Sequence, residues 1–187
     1  MTASIPRLEA GDVVDLILSD HRLFEDLLRE LRNEQNDRDA LRGRIAELLV
    51  AHGEAEESKV YNQLERKDAI DEEDVEHGVK EHDEGYETLL PLLEATELYD
   101  EDFSEKLHEF SETLLHHLDE EERDILNPAR EEVTAQERAR LGASWAAERN
   151  RMLDEGCGSV EQVRALVGEA QSSAQSSTQS STQPTAE

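Results

Sequence analysis

Two stretches of this chain pair a histidine with a glutamate one helical turn later. From His52 the sequence reads HGEAEESKVYNQL and from His117 it reads HLDEEERDILNPA. Both run H-x-x-x-E-E, with an apolar residue eight positions after the histidine (Val60, Ile125) and an asparagine at ten (Asn62, Asn127). On a helix, positions i and i+4 stack on one face about 40° apart. His52 with Glu56 and His117 with Glu121 therefore each present an imidazole nitrogen beside a carboxylate oxygen. Such a mixed donor set suits a borderline first-row metal such as iron, manganese or zinc.

The faces that carry these residues sharpen the reading. His52 and Glu56 interrupt the apolar stripe Ile45, Leu48, Leu49, Val60 and Leu64; His117 and Glu121 interrupt Leu107, Phe110, Leu114 and Ile125. A carboxylate on a core-facing stripe costs several kcal/mol unless something compensates it, and a bound cation would compensate both. His21 lies among Val14, Ile17, Leu18, Phe24 and Leu28, and His82 among Val75, Val79, Leu89 and Leu93. The other histidines serve as controls. His77, His108 and His116 share their faces with glutamates, serines and an aspartate, so they are expected to be solvated. A single core histidine would ordinarily be a hydrogen-bonded structural residue. Four of them, two with a carboxylate one turn on, point to metal.

These side chains need long helices to hold them. Amphipathic segments are expected at roughly 11–33, 37–67, 72–96 and 102–132, joined by short polar breaks, which predicts an all-α, up-down-up-down antiparallel four-helix bundle. Pro91 and Pro128 should kink or locally break the third and fourth segments. Thr134-x-x-Glu137 reads as a capping box opening a further helix to about Leu153, followed by a short amphipathic segment from Val160 to Val167. The chain thus divides into a bundle over 8–133, a C-terminal helical extension over 134–170, and a Ser/Gln/Thr-rich tail over 171–187 expected to be disordered.

Composition narrows the setting. The net charge is −28, from 47 acidic and 19 basic residues, which argues against nucleic acid or an anionic membrane as partner. Only four basic residues are lysines; an acidic, lysine-poor surface suits high salt, and a GC-rich genome gives the same arginine bias. The lone Cys157 rules out an internal disulfide framework. With neither a membrane-length apolar run nor a secretory layout at the N-terminus, a cytoplasmic protein is expected.

The pattern H…HxxxE…H…HxxxE over four helices resembles the hemerythrin family, specifically bacterial HHE cation-binding domains, and the YNQL and LNPA segments match the family's usual ends of the second and fourth helices. The resemblance covers roughly residues 8–133. It implies an oxo- or hydroxo-bridged di-iron centre held by His21, His52, Glu56, His82, His117 and Glu121. The sequence departs from the oxygen carriers, in which a fifth histidine lies one turn from the other third-helix ligand. Here those positions are Gly78 and Tyr86. The carriers' fourth-helix carboxylate is an aspartate five residues after the histidine, so Glu121 (at four) and Glu122 (at five) both qualify, with Glu121 favoured because it stays on the core stripe. Glu25, one turn after His21, could add an oxygen donor or be a surface carboxylate. Tyr86 either packs as a core residue or presents a phenol that donates to, or ligates, an iron-bound species.

Three functions remain on this footing. The first is a di-iron protein that binds or reduces a small diatomic or peroxide ligand: O₂, peroxide or nitric oxide. The second is a non-enzymatic iron-binding or redox-sensing module. The third, a ferritin-like oxidase or iron store, lacks its E-x-x-H motif, since Leu18, Leu49, Val79 and Leu114 stand three residues before the core histidines.

Overall fold

A computed structural model describes residues 4–180, and every regular element among them is helical. Helix α1 spans Val13–Arg32, α2 Arg38–Glu56, α3 Asn62–Glu65, α4 Glu72–Glu94, α5 Glu101–Glu121, α6 Asn127–Glu132, α7 Ala135–Glu155 and α8 Val160–Ser180. Side-chain oxygens that accept from orphan amides fix most of the starts. Asp12, Asp37 and Asp100 cap α1, α2 and α5, Thr134 caps α7, and Asp71 forms a reciprocal capping box with Asp74 at α4.

The second and fourth expected helices are each interrupted at the same place. A π-helical turn, Glu57–Tyr61, joins α2 to α3, and another, Glu122–Leu126, joins α5 to α6. Each begins directly after the buried glutamate of an H-x-x-x-E motif. Pro128 sits in the first turn of α6, directly after the second π turn. The expected break at Pro91 does not occur: α4 continues through it to Glu94.

The apolar core falls into two clusters, and α1, α2, α4 and α5 each pass from one toward the other through a polar layer. Helix α1 runs from Ile17 in one cluster past His21 to Phe24 in the other, and α4 runs the same way from Val79 past His82 to Tyr86. Helix α2 runs oppositely, from Leu49 past His52 to Ala55, as does α5 from Leu114 past His117 toward Ile125 in the π turn that follows it. Helices α1, α2, α4 and α5 pack as a ring: α1 on α2, α2 on α4, α4 on α5 and α5 on α1.

Helix α7 lies against α1 and α2, and α8 against α4. Gly142 permits this close seat, because a Cβ there would stand 2.1 Å from the Gly11 carbonyl oxygen. Gly156, at φ 78°, ends α7 in the left-handed region that glycine adopts without strain. Helix α8 is longer than the amphipathic segment expected from sequence and runs past residue 171; the disorder expected beyond residue 180 lies outside the described residues.

Candidate metal centre

The polar layer brings all six nominated side chains together. His21, His52, Glu56, His82, His117 and Glu121 are each at most 3% exposed. The four imidazoles turn their Nε2 atoms inward onto the two carboxylates. Glu56 lies between the halves, with Oε1 3.0 Å from His52 Nε2 and Oε2 3.3 Å from His82 Nε2. Glu121 Oε2 lies 3.0 Å from His21 Nε2 and 3.9 Å from the Nε2 atoms of both His52 and His117. Glu122 is on the outside of the layer, with a half-exposed side chain. Glu25 is exposed, and His108 and His116 lie on the surface.

Each imidazole is held from behind. A carboxylate oxygen meets its Nδ1: Glu122 at His21 (2.9 Å), Asp20 at His52 (3.3 Å), Glu57 at His82 (2.8 Å) and Glu81 at His117 (3.2 Å). An ionised carboxylate can only accept, so Nδ1 carries the proton and Nε2 is the nitrogen whose lone pair can face a cation. The pattern has internal two-fold correspondence. The second glutamate of each H-x-x-x-E-E run (Glu57, Glu122) backs a lone histidine on a neighbouring helix, and the residue before each lone histidine (Asp20, Glu81) backs a motif histidine.

Electrostatics leaves the layer incomplete as a purely protein arrangement. Burial lowers His52 to about 4 despite Asp20, and lowers His117 despite Glu81. Burial acts the same way on His21 and His82, but hydrogen bonds to Glu121 and Glu122, and to Glu56 and Glu57, outweigh it and raise both to about 10. Burial, reinforced by the Glu121 charge, pushes Glu56 up to about 8. Burial also works against ionised Glu121, but the hydrogen bond from His21 and the nearby imidazoles hold it down at about 2. Among the described residues, His52 Nε2, His117 Nε2 and both Glu56 oxygens have no aligned hydrogen-bond partner although fully buried. Unpaired buried polar atoms are costly. Their convergence, with four nitrogen and several oxygen donors, fits a bound metal cation.

Sequence reasoning missed the phenol that reaches this layer. Tyr61 stacks on His82, and its hydroxyl lies 3.4 Å from Glu121 Oε1 and 3.4 Å from His82 Nε2. Its ring covers Gly78, where a Cβ would stand 3.1 Å from Tyr61 Cε2. Tyr61 therefore fills the space beside Gly78. Tyr86, the phenol nominated from sequence, is buried behind His82, with its hydroxyl against Gly53 and without a hydrogen-bond partner among the described residues.

His77 is more engaged than its solvated face suggested. Its Nε2 lies 2.9 Å from Glu120 and 3.8 Å from Glu81, which itself backs His117. These three residues form a second group with mutually close donor atoms, but His77 is half exposed and already paired with Glu120.

A family model described as the hemerythrin HHE cation binding domain matches residues 12–129, which include the six inner side chains and end before α7. Neither a curated protein nor a solved structure matches the chain.

Proposed function

Because the chain belongs to the hemerythrin HHE cation-binding family, we propose that it holds two iron ions in the polar layer and binds or reduces a small oxidant: O₂, peroxide or nitric oxide. The observation that carries this reading is the convergence of four inward Nε2 atoms on two buried carboxylates, with several of those atoms unpaired. His21 and His52 would serve one ion and His82 and His117 the other. Glu56 and Glu121 would span both, since each faces imidazoles of both halves. Glu122 is engaged outside, at His21 Nδ1, which favours Glu121 as the inner carboxylate. The opposite directions in which neighbouring helices cross the layer support an up-down-up-down antiparallel bundle, with residues 134–170 added to it.

Iron in such a pair supplies one-electron redox chemistry and a coordination position for a small oxidant. The chain's own groups set the conditions around it. The four outer carboxylates hold the imidazoles in the metal-binding tautomer. The apolar clusters on either side exclude water, and the Tyr61 hydroxyl places a donor proton beside Glu121 and His82. Charge of −28 disfavours nucleic acid or anionic lipid as a partner. Among the described residues no helix is long and apolar enough to cross a membrane, and the single thiol suits a reducing cytoplasm.

Metal analysis of the as-isolated protein with its optical spectrum, repeated after adding peroxide and nitric oxide, tests the proposal. Iron in two-to-one ratio with the chain, with a visible spectrum that responds to either addition, is the expected result. Zinc alone, or no metal, would overturn it.

A further inference from the structure

The two-fold correspondence of the centre is broken at one pair of matching residues. Asp20 and Glu81 each precede a lone histidine and each back a motif histidine through Nδ1. Glu81 reaches toward the surface, where the half-exposed His77 stands 3.8 Å away. Asp20 is instead sealed in by α7. Arg149, fully buried, donates from Nε and Nη2 to the two Asp20 oxygens at 2.5 and 2.7 Å, and from Nη1 to the Pro6 carbonyl at 3.1 Å. One turn earlier on α7, Trp145 sets its ring edge-on to His52, with centroids 5.7 Å apart. Helix α7 lies outside the region matched by the family model.

A buried ion pair contributes little net stability relative to apolar packing of the same volume, so its effect is to be sought in the geometry it fixes. We propose that Arg149 is a positioning residue for the cation site bounded by His21 and His52, and that α7 thereby makes the two halves of the centre inequivalent. The planar guanidinium fork fixes the orientation of the Asp20 carboxylate. Asp20 and the Trp145 edge then fix the His52 ring, with Nδ1 outward and Nε2 toward Glu56. The Asp20 oxygen that meets His52 Nδ1, at 3.3 Å, is the same one that accepts from Arg149 Nε. His82 and His117 are backed by Glu57 and Glu81 and touch neither Arg149 nor Trp145 in any of these contacts.

The proposal rests on the two-cation reading, and its test separates the two. Metal-free parent, Arg149→Leu and the double variant Asp20→Leu/Arg149→Leu are titrated with cobalt(II), followed by visible absorption and by elemental analysis after desalting. Circular dichroism of the metal-free proteins checks the fold. The double variant removes both buried charges and so keeps the test alive if Arg149→Leu does not fold. The parent should take up two equivalents. The variants should bind one with parental affinity and the other at least about tenfold more weakly, the usual cost of losing an outer-shell partner. Parental binding of both equivalents by the folded double variant would overturn the proposal, as would an equal weakening of both, which would make α7 a general support of the fold. A parent that takes up fewer than two equivalents would overturn the two-cation reading itself, whatever the variants do.

Discussion

Glu57 accepts from Nδ1 of His82 at 2.8 Å, reaching across from the position directly after the buried Glu56. The adjacent glutamates of the H-x-x-x-E-E run thus do different work: the first faces the centre and the second orients a histidine on another helix. Glu122 repeats the relationship at His21, at 2.9 Å. Glu57→Ala and Glu122→Ala should each weaken metal binding by about 10- to 100-fold while the inner donors stay in place. The exposed Glu25→Ala serves as control and should leave affinity unchanged. A competition titration with a coloured chelator measures all three, and equal affinities across them would contradict the assignment.

The two phenols should separate cleanly. Only the Tyr61 hydroxyl lies within reach of Glu121 and His82 Nε2. Tyr61→Phe should therefore change the optical spectrum of the loaded protein or its rate with peroxide, at a stability cost of about 1 kcal/mol for the lost hydrogen bonding. The Tyr86 hydroxyl has no partner among the described residues, so Tyr86→Phe should leave spectrum and rate alone and keep or slightly raise the thermal midpoint. A spectral change confined to Tyr86→Phe would return the active phenol to the position nominated from sequence.

The metal-free protein should lose stability as pH rises. His21 and His82 are raised in the fold from 6.5 to about 10, so their contribution is complete below pH 6.5 and disappears as pH climbs through the folded values. Glu56, raised from 4.5 to about 8, acts with the same sign: its protonated form favours the fold at low pH and that advantage is lost on the way to 8. His52 and Glu121, lowered to about 4 and about 2, have the opposite sign but act in the acid range. Between pH 6.5 and about 10 the first set prevails. Cations compete with those protons, so metal binding tightens over the same window and the loaded protein should resist the decline. Thermal midpoints of both forms at a mildly acidic and an alkaline pH decide it: a metal-free midpoint that rises with pH would contradict the geometry.

The six inner residues were legible in the sequence because each interrupts an apolar stripe, a signal that needs only local periodicity. Asp20 carries the same signal between Ile17 and Phe24, and could have been found with it. Glu57 could not, since its partly exposed side chain looks like any solvated carboxylate on a helix, and Glu122 entered only as an alternative to Glu121 for the inner position. Tyr61 was hidden by backbone geometry. Five residues after Glu56, a regular helix would place it about 140° round; the extra residue of the π turn takes up about 100° and returns it to the inner face. Arg149 pairs with a residue 129 positions away, and no periodicity announces such a contact. The four long segments followed from amphipathic stripes and polar breaks, whereas the aspartate caps and the two π turns emerged only in the structure.

His116 and His117 provide the most direct test of the register of α5. They are neighbours in sequence and about 100° apart around the helix. The His117 side chain is 3% exposed, with Nδ1 on Glu81 and Nε2 unpaired toward Glu121; the His116 side chain is 70% exposed beside Glu120. His117→Ala removes an inner donor, strands Glu81 and leaves a cavity beside the His82 ring, so metal content should fall sharply and the fold should weaken with it. His116→Ala should change stability by no more than about 0.5 kcal/mol and leave metal content intact. His117→Leu separates the two effects of the first variant: it should lose as much metal as His117→Ala yet keep a higher metal-free midpoint, because apolar volume is restored. Metal loss in His116→Ala instead would place α5 in the wrong register. Parental iron in both alanine variants would remove His117 from the centre.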